Sequence, residues 1–273
     1  MRILVILAIL FGFFISGLAQ SPKPTSTASN SLVLYDDFNG VRLDPAKWDD
    51  WSNTVGMREV VRELSPSYQG QGNNRRLRIF QRAYSWTGND AGSSYGWFGL
   101  KFANPAAISE ISASLNVSNV AVSNCATNPS EPSAAWAGLS GHFFNYGGQQ
   151  DPNQDVEAGI SLFRDGWYST GPLRVQASYG TGDGIFQYQI LGSVLPGATA
   201  KLRVKWDQSN HQFIFQLNNE PPVAMAYGPL PDTFAPYYQL KSLSVTQGTP
   251  HCTATPPGSE MMDTYFDNVY VNP

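Results

Sequence analysis

The chain has 273 residues, of which 42% are hydrophobic and 14% are charged, and its formal net charge is −4 at pH 7. This length and composition suffice for one large β domain and do not require two domains. The mildly acidic balance argues against a nucleic-acid partner, because nucleic-acid-binding proteins carry basic patches.

The first residues have the pattern of an export signal. Residues 1–19 contain one early Arg, the apolar run 3–15, and the small residues Gly17 and Ala19. This order of basic, apolar and small residues predicts a cleaved signal peptide. The apolar run is shorter than the roughly 20 residues that a membrane span needs. We therefore expect a secreted or periplasmic protein without a membrane span.

Residues 20–31 (QSPKPTSTASNS) are rich in Pro, Ser and Thr and lack apolar periodicity, which is typical of a flexible linker. The globular domain is then predicted to span residues 32–273. Within it, short alternating segments are bounded by Gly, Pro, Asn or Asp, and no stretch keeps a helical period over ten residues. The predicted strands are 31–38, 58–64, 75–84, 107–118, the two strands of a hairpin within 134–164, 173–179, 185–191, 200–206, 212–217, 238–245 and 264–271. This pattern predicts an all-β protein, an antiparallel two-sheet sandwich or jelly roll.

The hairpin 134–164 is the strongest candidate for a site. Its two alternating runs flank a loop rich in Gly, Asn, Gln and Asp. A symmetric loop pairs His142 with Glu157, so that both side chains project from one face of the sheet. Pairing strand 107–118 with the first hairpin strand would place Glu110 on the other side of His142. These three residues are candidate catalytic groups, and the alternative is a solvated polar row.

Three motifs resemble those of a known superfamily. The opening DDFNG..LDPAKW (36–48), the run VKWDQSNHQFIFQLNNE (204–220) and the terminal FDNVYV (266–271) look like segments of concanavalin A-like lectins and glucanases. The resemblance spans residues 32–271 and implies a concanavalin A-like jelly roll. Because this superfamily includes lectins, glycoside hydrolases and polysaccharide lyases, the fold alone does not decide the function.

The hydrolase branch implied by this resemblance uses a strand of pattern Glu-x-Asp-x-x-Glu. Two carboxylates are needed because one attacks or activates water while the other protonates the leaving oxygen. The strand from Glu110 reads EISASL and the strand from Glu157 reads EAGISL, so neither has the second and third carboxylates. The missing motif therefore favours a protein without enzymatic activity, and the enzymatic alternative stays open.

Aromatic rings in exposed loops can stack on the faces of sugar rings, and several lie in polar segments of this chain. The alternative is that these rings pack down on the edge of the sandwich. The candidate carbohydrate-binding residues are Trp86, Trp97, Trp167 and Tyr168.

The two cysteines, Cys125 and Cys252, lie in Ser-, Thr-, Asn- and Pro-rich segments of a chain with a predicted export signal. Thiols in such a compartment tend to oxidise, so a disulfide between them is expected. Metal binding by this pair together with His251 is disfavoured, because structural zinc sites need four ligands.

One structural calcium ion is the only cofactor expected. The resemblance implies a site on the convex side, where Asp267 would bind together with backbone oxygens near Asp37 and in the loop 70–72. The alternative lies in the hairpin loop, where hard oxygen ligands that suit calcium stand at alternate positions. These alternative ligands are Asp151, Asn153 and Asp155.

Three functions remain open on the sequence. The leading one is a secreted, lectin-like domain that binds an extracellular polysaccharide. The second is a divergent glycoside hydrolase or polysaccharide lyase, and the third is a structural or adhesive surface domain without a small ligand.

Overall fold

The computed structural model describes residues 31–40, 42–55, 59–68 and 75–273. The predicted signal peptide, the linker up to residue 30 and the loop 70–72 lie outside these ranges. The strands, in chain order, are β1 (Val33–Asp36), β2 (Trp48–Val55), β3 (Glu59–Tyr68), β4 (Arg75–Tyr84), β5 (Ser93–Phe102), β6 (Glu110–Ser123), β7 (Ala134–Asn145), β8 (Asp155–Asp165), β9 (Leu173–Gly180), β10 (Phe186–Val194), β11 (Thr199–Asp207), β12 (Gln212–Leu217), β13 (Val223–Ala226), β14 (Lys241–Pro250) and β15 (Ser259–Val271). Short 3-10 turns span Pro152–Gln154, Gly166–Tyr168 and Gln208–Asn210. Within the described ranges, no helix has the length and apolar character to cross a membrane.

The strands form two antiparallel sheets. Sheet 1 has the order β13-β12-β11-β6-β15-β4-β3, with β1 paired to β15. Sheet 2 has the order β10-β9-β8-β7-β14-β5-β2. The predicted fold class, an all-β antiparallel two-sheet sandwich, is confirmed.

The core lies between the two sheets and follows from the period-two pattern of the strands. On β6, the side chains of Ile111 and Leu115 are fully buried, whereas Ser114 and Asn116, on the other face, are half-buried. Large rings such as Phe144 fill the space between the sheets. Burying one such side chain stabilises the fold by about 1.5–3 kcal/mol.

Two sequence predictions about the sheets are wrong. The predicted pairing of β6 with β7 does not occur, because β6 lies between β11 and β15 in sheet 1 while β7 lies between β8 and β14 in sheet 2. After β6 the chain crosses to the other sheet, whereas the prediction assumed that consecutive strands are neighbours. The aromatic-rich segment 84–97 was predicted to be a polar loop, but its residues 93–97 belong to β5 and pair with β14.

One end of the sandwich is held together by a disulfide, and we call it the disulfide end. Cys125 and Cys252 form this bond, as predicted. Asp90 joins the same loops, because it accepts hydrogen bonds from Thr127 Oγ1 (2.6 Å) and from the backbone N–H of Thr253 (2.7 Å). The sulfur atoms lie close to the Asp90 carboxylate, but the disulfide removes the thiolates that a metal would need.

Candidate functional site

A groove of about 530 Å³ lies on the face of sheet 2 that is turned away from the core. Along β7, the lining residues Trp136 and Ser140 alternate with core residues such as Ala135 and Ala137, as the pleat of a strand requires. Strands β5, β14, β7, β8, β9 and β10 contribute to the lining. The lining side chains that carry chemistry are Tyr95, Trp97, Trp136, Ser140, His142, Asp155, Glu157, Ser161, Gln176, Ser178, Phe186, Ser244 and Thr246.

The floor of the groove consists of small and polar residues. One row of Cα partners across β14, β7, β8 and β9 contains Ser244, Gly138, Ser161 and Gln176. Glycine is required at position 138, because a Cβ there would lie 2.3 Å from the carbonyl oxygen of Ile160. The floor is therefore flat and offers hydroxyl and amide groups.

Aromatic rings close one end of the groove. A row of partners across β5, β14, β7 and β8 contains Trp97, Thr246, Trp136 and Phe163. The rings of Trp136 and Phe163 are stacked with centroids 6.4 Å apart, and those of Tyr95 and Trp97 with centroids 6.2 Å apart. Each pair fixes the orientation of the ring that faces the groove.

Polar and aromatic groups meet at the other end of the groove. The row across β7, β8, β9 and β10 contains His142, Glu157, Gly180 and Phe186. His142 and Glu157 are cross-strand partners and both line the groove, so this part of the hairpin prediction is confirmed. The exposed ring of Phe186 stacks on that of Tyr188 with centroids 5.9 Å apart.

The groove crosses the strands of sheet 2. From Trp97 on β5 to Phe186 on β10 there are five strand-to-strand steps. At about 4.8 Å per step, the lined surface spans roughly 24 Å. An extended ligand thus fits this surface better than a single small molecule.

A buried carboxylate supports the polar end. Asp155 is 2% exposed, and its Oδ1 accepts hydrogen bonds from the backbone N–H of Tyr237 (2.6 Å) and from Asn145 Nδ2 (2.9 Å). Its Oδ2 accepts a hydrogen bond from the backbone N–H of Tyr238 (2.7 Å). Burial by itself raises the pKa of this carboxyl, but His142 and the N–H donors outweigh burial and hold the pKa below its usual value.

Asp155 also orients the imidazole of His142. His142 Nδ1 lies 3.3 Å from Asp155 Oδ2, an ion-pair distance without hydrogen-bond geometry. The ring also meets the edge of Tyr238 with centroids 5.8 Å apart. Among the lining residues, the carboxylates and the imidazole of this end are thus a buried aspartate, a histidine held against it and the exposed Glu157.

Only one of the four predicted carbohydrate-binding aromatics lines the groove. Trp97 does so, whereas Trp86 lies in a loop against the ring of His251. Trp167 and Tyr168 lie in the turn between β8 and β9, where both are well exposed and Tyr168 contacts Arg174. They do not belong to the groove lining.

Sequence reasoning missed the aromatics that lie on strands. Trp136 alternates with alanines in AAWAG, a signal that could have placed it on the solvent side of the hairpin. Tyr95 lies among Gly and Ser residues that favour loops, whereas Phe186 lies within the predicted strand 185–191 but was not singled out as a binding residue. Because the Gly and Ser neighbours of Tyr95 favoured a loop, the sequence did not predict the strand that carries this residue at the aromatic end of the groove.

Glu110 does not join the site, so the predicted row of Glu110, His142 and Glu157 is wrong. Glu110 lies in sheet 1, on the face away from the core, because its neighbour Ile111 is in the core. Its Oε1 accepts a hydrogen bond from Arg203 Nε at 2.5 Å. A row across neighbouring strands is impossible for residues in different sheets.

The carboxylates of the convex calcium candidates, Asp37 and Asp267, interact electrostatically. Burial raises the pKa of Asp267, and the Asp37 carboxylate raises it further while Arg76 lowers it. The two carboxylates thus repel each other, and a divalent cation between them would relieve the repulsion. The rest of the implied ligand set, in the loop 70–72, lies outside the described residues.

The alternative calcium ligands in the hairpin loop are engaged in hydrogen bonds. Asp151 Oδ1 accepts hydrogen bonds from the backbone N–H and from the side-chain amide of Asn153. The Asp151 side chain thereby caps the 3-10 turn Pro152–Gln154. Both oxygens of Asp155 accept from N–H donors as described above. These contacts give all three residues a structural role without a metal.

Comparisons with known proteins find similar chains among solved structures. No protein-family model and no curated protein matches the sequence. Solved structures do match, among them a glycoside hydrolase family protein from Mycobacterium thermorestibile, with 18% identity over 86% of this chain and 98% of that chain and a TM-score of 0.42. Another is the Bacillus licheniformis β-glucanase, with 8% identity over 88% and 99% of the two chains and a TM-score of 0.43. The lectin UEA-II in complex with galactose matches at 12% identity over 80% and 98% and a TM-score of 0.34.

These matches include a glycoside hydrolase family protein, a glucanase and a lectin, and the sequence motifs resemble the same kinds of protein. At such identities and TM-scores the similarity concerns general architecture. The chemistry of the groove must therefore decide between the functions that this fold supports.

Proposed function

We propose that the protein is a secreted, lectin-like domain that binds an extracellular polysaccharide in the groove of sheet 2. The observation that carries this proposal is a flat floor of Gly, Ser and Gln residues with aromatic rings at both ends. Ligand sites commonly combine apolar rings with a few polar groups that fix orientation.

The chemistry of the groove matches the two surfaces of a sugar. The rings of Trp97, Trp136 and Phe186 offer flat apolar faces for the C–H faces of pyranose rings. Hydroxyl and amide groups such as those of Ser161 and Gln176 both donate and accept hydrogen bonds, as sugar hydroxyls do. The span of roughly 24 Å favours several consecutive sugar units over a terminal one.

The test is binding of a labelled panel of polysaccharides to the wild-type chain and to Trp97→Ala. A buried Trp anchor contributes about 2 kcal/mol or more to binding, so we expect affinity to fall by about 30-fold. Trp167→Ala is the matched control, because it removes an exposed Trp outside the groove and should leave binding unchanged. Equal losses in both variants, or no binding by the wild type, would contradict the proposal.

A glycosidase is the second candidate, and the arrangement of Asp155, His142 and Glu157 favours it. Glu157 is a carboxylate exposed to the groove, and His142 can carry a proton while Asp155 orients it. Asp155 itself is a poor proton donor, because its pKa is lowered and its oxygens are occupied by N–H donors. These two carboxylates and one histidine lie on two strands, β7 and β8, whereas the Glu-x-Asp-x-x-Glu motif places three carboxylates on one strand.

Release of reducing sugars from the polysaccharides that bind would separate the two candidates. Turnover that is lost in Glu157→Gln, with binding retained, would establish the hydrolase. Binding without turnover in the wild type would leave the lectin-like function. If neither binding nor turnover is found, the structural or adhesive domain becomes the best remaining function.

Two associated proposals concern export and calcium. Expression of residues 1–273 in a secreting host should yield a mature chain that begins at Gln20, which N-terminal sequencing would show. A calcium ion held by Asp37 and Asp267 should raise the melting temperature, and this rise should be smaller in Asp267→Asn.

A further inference from the structure

An exposed aromatic segment borders the polar end of the groove, outside its lining. Residues 234–238 (FAPYY) belong to the irregular segment between β13 and β14. The rings of Phe234, Tyr237 and Tyr238 are 47%, 51% and 51% exposed, and none of them belongs to the hydrophobic core. Clustered exposed apolar surface of this kind marks an interaction site. We call residues 234–238 the aromatic lip.

The backbone of the lip is fixed to the hairpin formed by β7 and β8. Phe234 and Asn145 form an antiparallel bridge, in which the backbone N–H of Asn145 donates to the carbonyl oxygen of Phe234 at 3.1 Å. Asp155 accepts the backbone N–H groups of Tyr237 and Tyr238 at 2.6 and 2.7 Å. A buried carboxylate loses its hydration, and these N–H donors replace it. Asp155 thus holds both tyrosines at the edge of the groove.

A second buried carboxylate fixes the chain just before the lip. Asp232 is 5% exposed, and its Oδ2 accepts a hydrogen bond from the hydroxyl of Tyr227 and lies 3.0 Å from His211 Nδ1. Its carbonyl oxygen accepts a hydrogen bond from Gln208 Nε2 at 2.7 Å. The lip is therefore held on both sides. Rings that are already fixed lose little conformational freedom when a ligand binds to them.

Tyr238 brings the lip into contact with the groove. Its ring meets the imidazole of His142, which lines the groove, with centroids 5.8 Å apart. The ring of Tyr237 in turn meets that of Tyr238 edge-on, with centroids 5.0 Å apart. After the lip, the carbonyl oxygen of Leu240 accepts a hydrogen bond from the backbone N–H of His142 at 2.8 Å. The surface of the lip is thus continuous with that of the groove.

The lip extends the polar row that crosses sheet 2. This row runs from His142 on β7 through Glu157 and Gly180 to Phe186 on β10, and Tyr238 stands beside its β7 end. An aromatic ring therefore stands at each end of the row. A sugar chain laid across the strands would meet Phe186 first, then the carboxylate and the imidazole, and then Tyr238.

We propose that the aromatic lip is a further sugar-binding subsite, in which a sugar unit stacks on Tyr238 and Tyr237 supports that ring. This inference rests on the proposed function, and the occupant is the same polysaccharide, because the lip continues the groove beyond His142. A tyrosine offers an apolar face to the C–H groups of a sugar and a hydroxyl that both donates and accepts hydrogen bonds. Asp155 is then a positioning residue that acts on the sugar through the two tyrosines.

The experiment is binding of labelled oligosaccharide ladders cut from cellulose, xylan, mannan and chitin to the wild type, Tyr238→Ala and Tyr238→Phe. One aromatic contact changes affinity by about two- to tenfold, so Tyr238→Ala should weaken the binding of long chains by this factor. The loss should shrink for short chains, which bind at Trp97 without reaching the lip. Tyr238→Phe keeps the ring and should bind nearly as the wild type does. Tyr168→Ala is the matched control, because it removes a tyrosine of 60% exposure outside the groove lining.

Hydroxyl-radical labelling of the wild type keeps the proposal testable if Tyr238→Ala fails to fold. Long chains that bind should protect Tyr237 and Tyr238 from oxidation and leave Tyr168 unprotected. If Trp97→Ala loses binding while Tyr238→Ala and the labelling of the lip are unaffected, the lip is not a subsite and the proposed function stands. A loss in Tyr238→Ala that is equal at every chain length also overturns the inference. If neither the ladders nor the polysaccharide panel binds to the wild type, the proposed function fails and the inference fails with it.

Discussion

Replacing Asp155 by Asn should destabilise the fold by about 3–4 kcal/mol. Asn keeps an oxygen for the donors that now bond Oδ1, but it places an NH₂ group opposite the backbone N–H of Tyr238, which now bonds Oδ2. A hydrogen bond to a charged group contributes about 1.5–3 kcal/mol, and a buried donor left without an acceptor costs about 1–3 kcal/mol. The two effects overlap, which is why the expected loss is below their full sum.

The measurement is urea unfolding of the wild type and Asp155→Asn between pH 7 and pH 3. Because the pKa of Asp155 is lowered in the folded state, its stabilisation is present above the unfolded value near 3.9 and is lost as the pH falls towards the folded pKa. The difference between the two proteins should therefore be constant near neutrality and shrink below about pH 4. Glu157→Gln is the control, since it changes an exposed carboxylate on the same strand. A loss below 1 kcal/mol, or a difference independent of pH, would refute the reasoning.

Three further predictions concern stability. Gly138→Ala should lower the free energy of unfolding by about 1–3 kcal/mol, because the new methyl would meet the carbonyl oxygen of Ile160; an unchanged Tm would contradict this. Replacing both Cys125 and Cys252 by Ser removes a covalent link between residues 127 positions apart and should destabilise the fold by about 2–5 kcal/mol. Equal urea midpoints for the wild type and this double variant would contradict the prediction. Burial lowers the pKa of Lys241 to about 8, so the folded protein releases this proton at a lower pH than the unfolded chain does. Between pH 8 and 10 the unfolded chain therefore binds more protons, and the free energy of unfolding should rise with pH. Lys241→Met should lack this rise in a series of thermal unfolding curves, and an equal rise in both proteins would contradict the assignment.

Local patterns in the sequence were sufficient for the elements whose partners are near in the chain. The alternation around Ile111 and Leu115 predicted a half-buried strand, and the polar loop between the hairpin strands predicted the pairing of His142 with Glu157. Both depend on the two-residue period of a strand, and the pairing of His142 with Glu157 depends also on the symmetry of the loop between the two strands. The disulfide was predicted because the chain has two cysteines and a predicted export signal.

Long-range contacts account for what the sequence did not predict. The loop that follows β6 can join strands of one sheet or of two, and only the packing of the core decides, so Glu110 was assigned to the wrong sheet. The donors to Asp155 come from Tyr237 and Tyr238, more than 80 residues away. The last strand was predicted to begin at residue 264 but begins at Ser259, where it pairs with β4 and β6.

Strand β10 lies at the edge of sheet 2, so one side of its backbone faces no other described strand. Phe186 and Tyr188 stand on this edge with about 60% of their surface exposed. Open backbone groups beside exposed rings are the combination through which separate molecules join edge to edge. A glycan laid across these rings would shield the edge, so the ligand would also act as a solubiliser. If a polysaccharide binds in the groove as proposed, its addition should accordingly narrow the size distribution of the protein in solution.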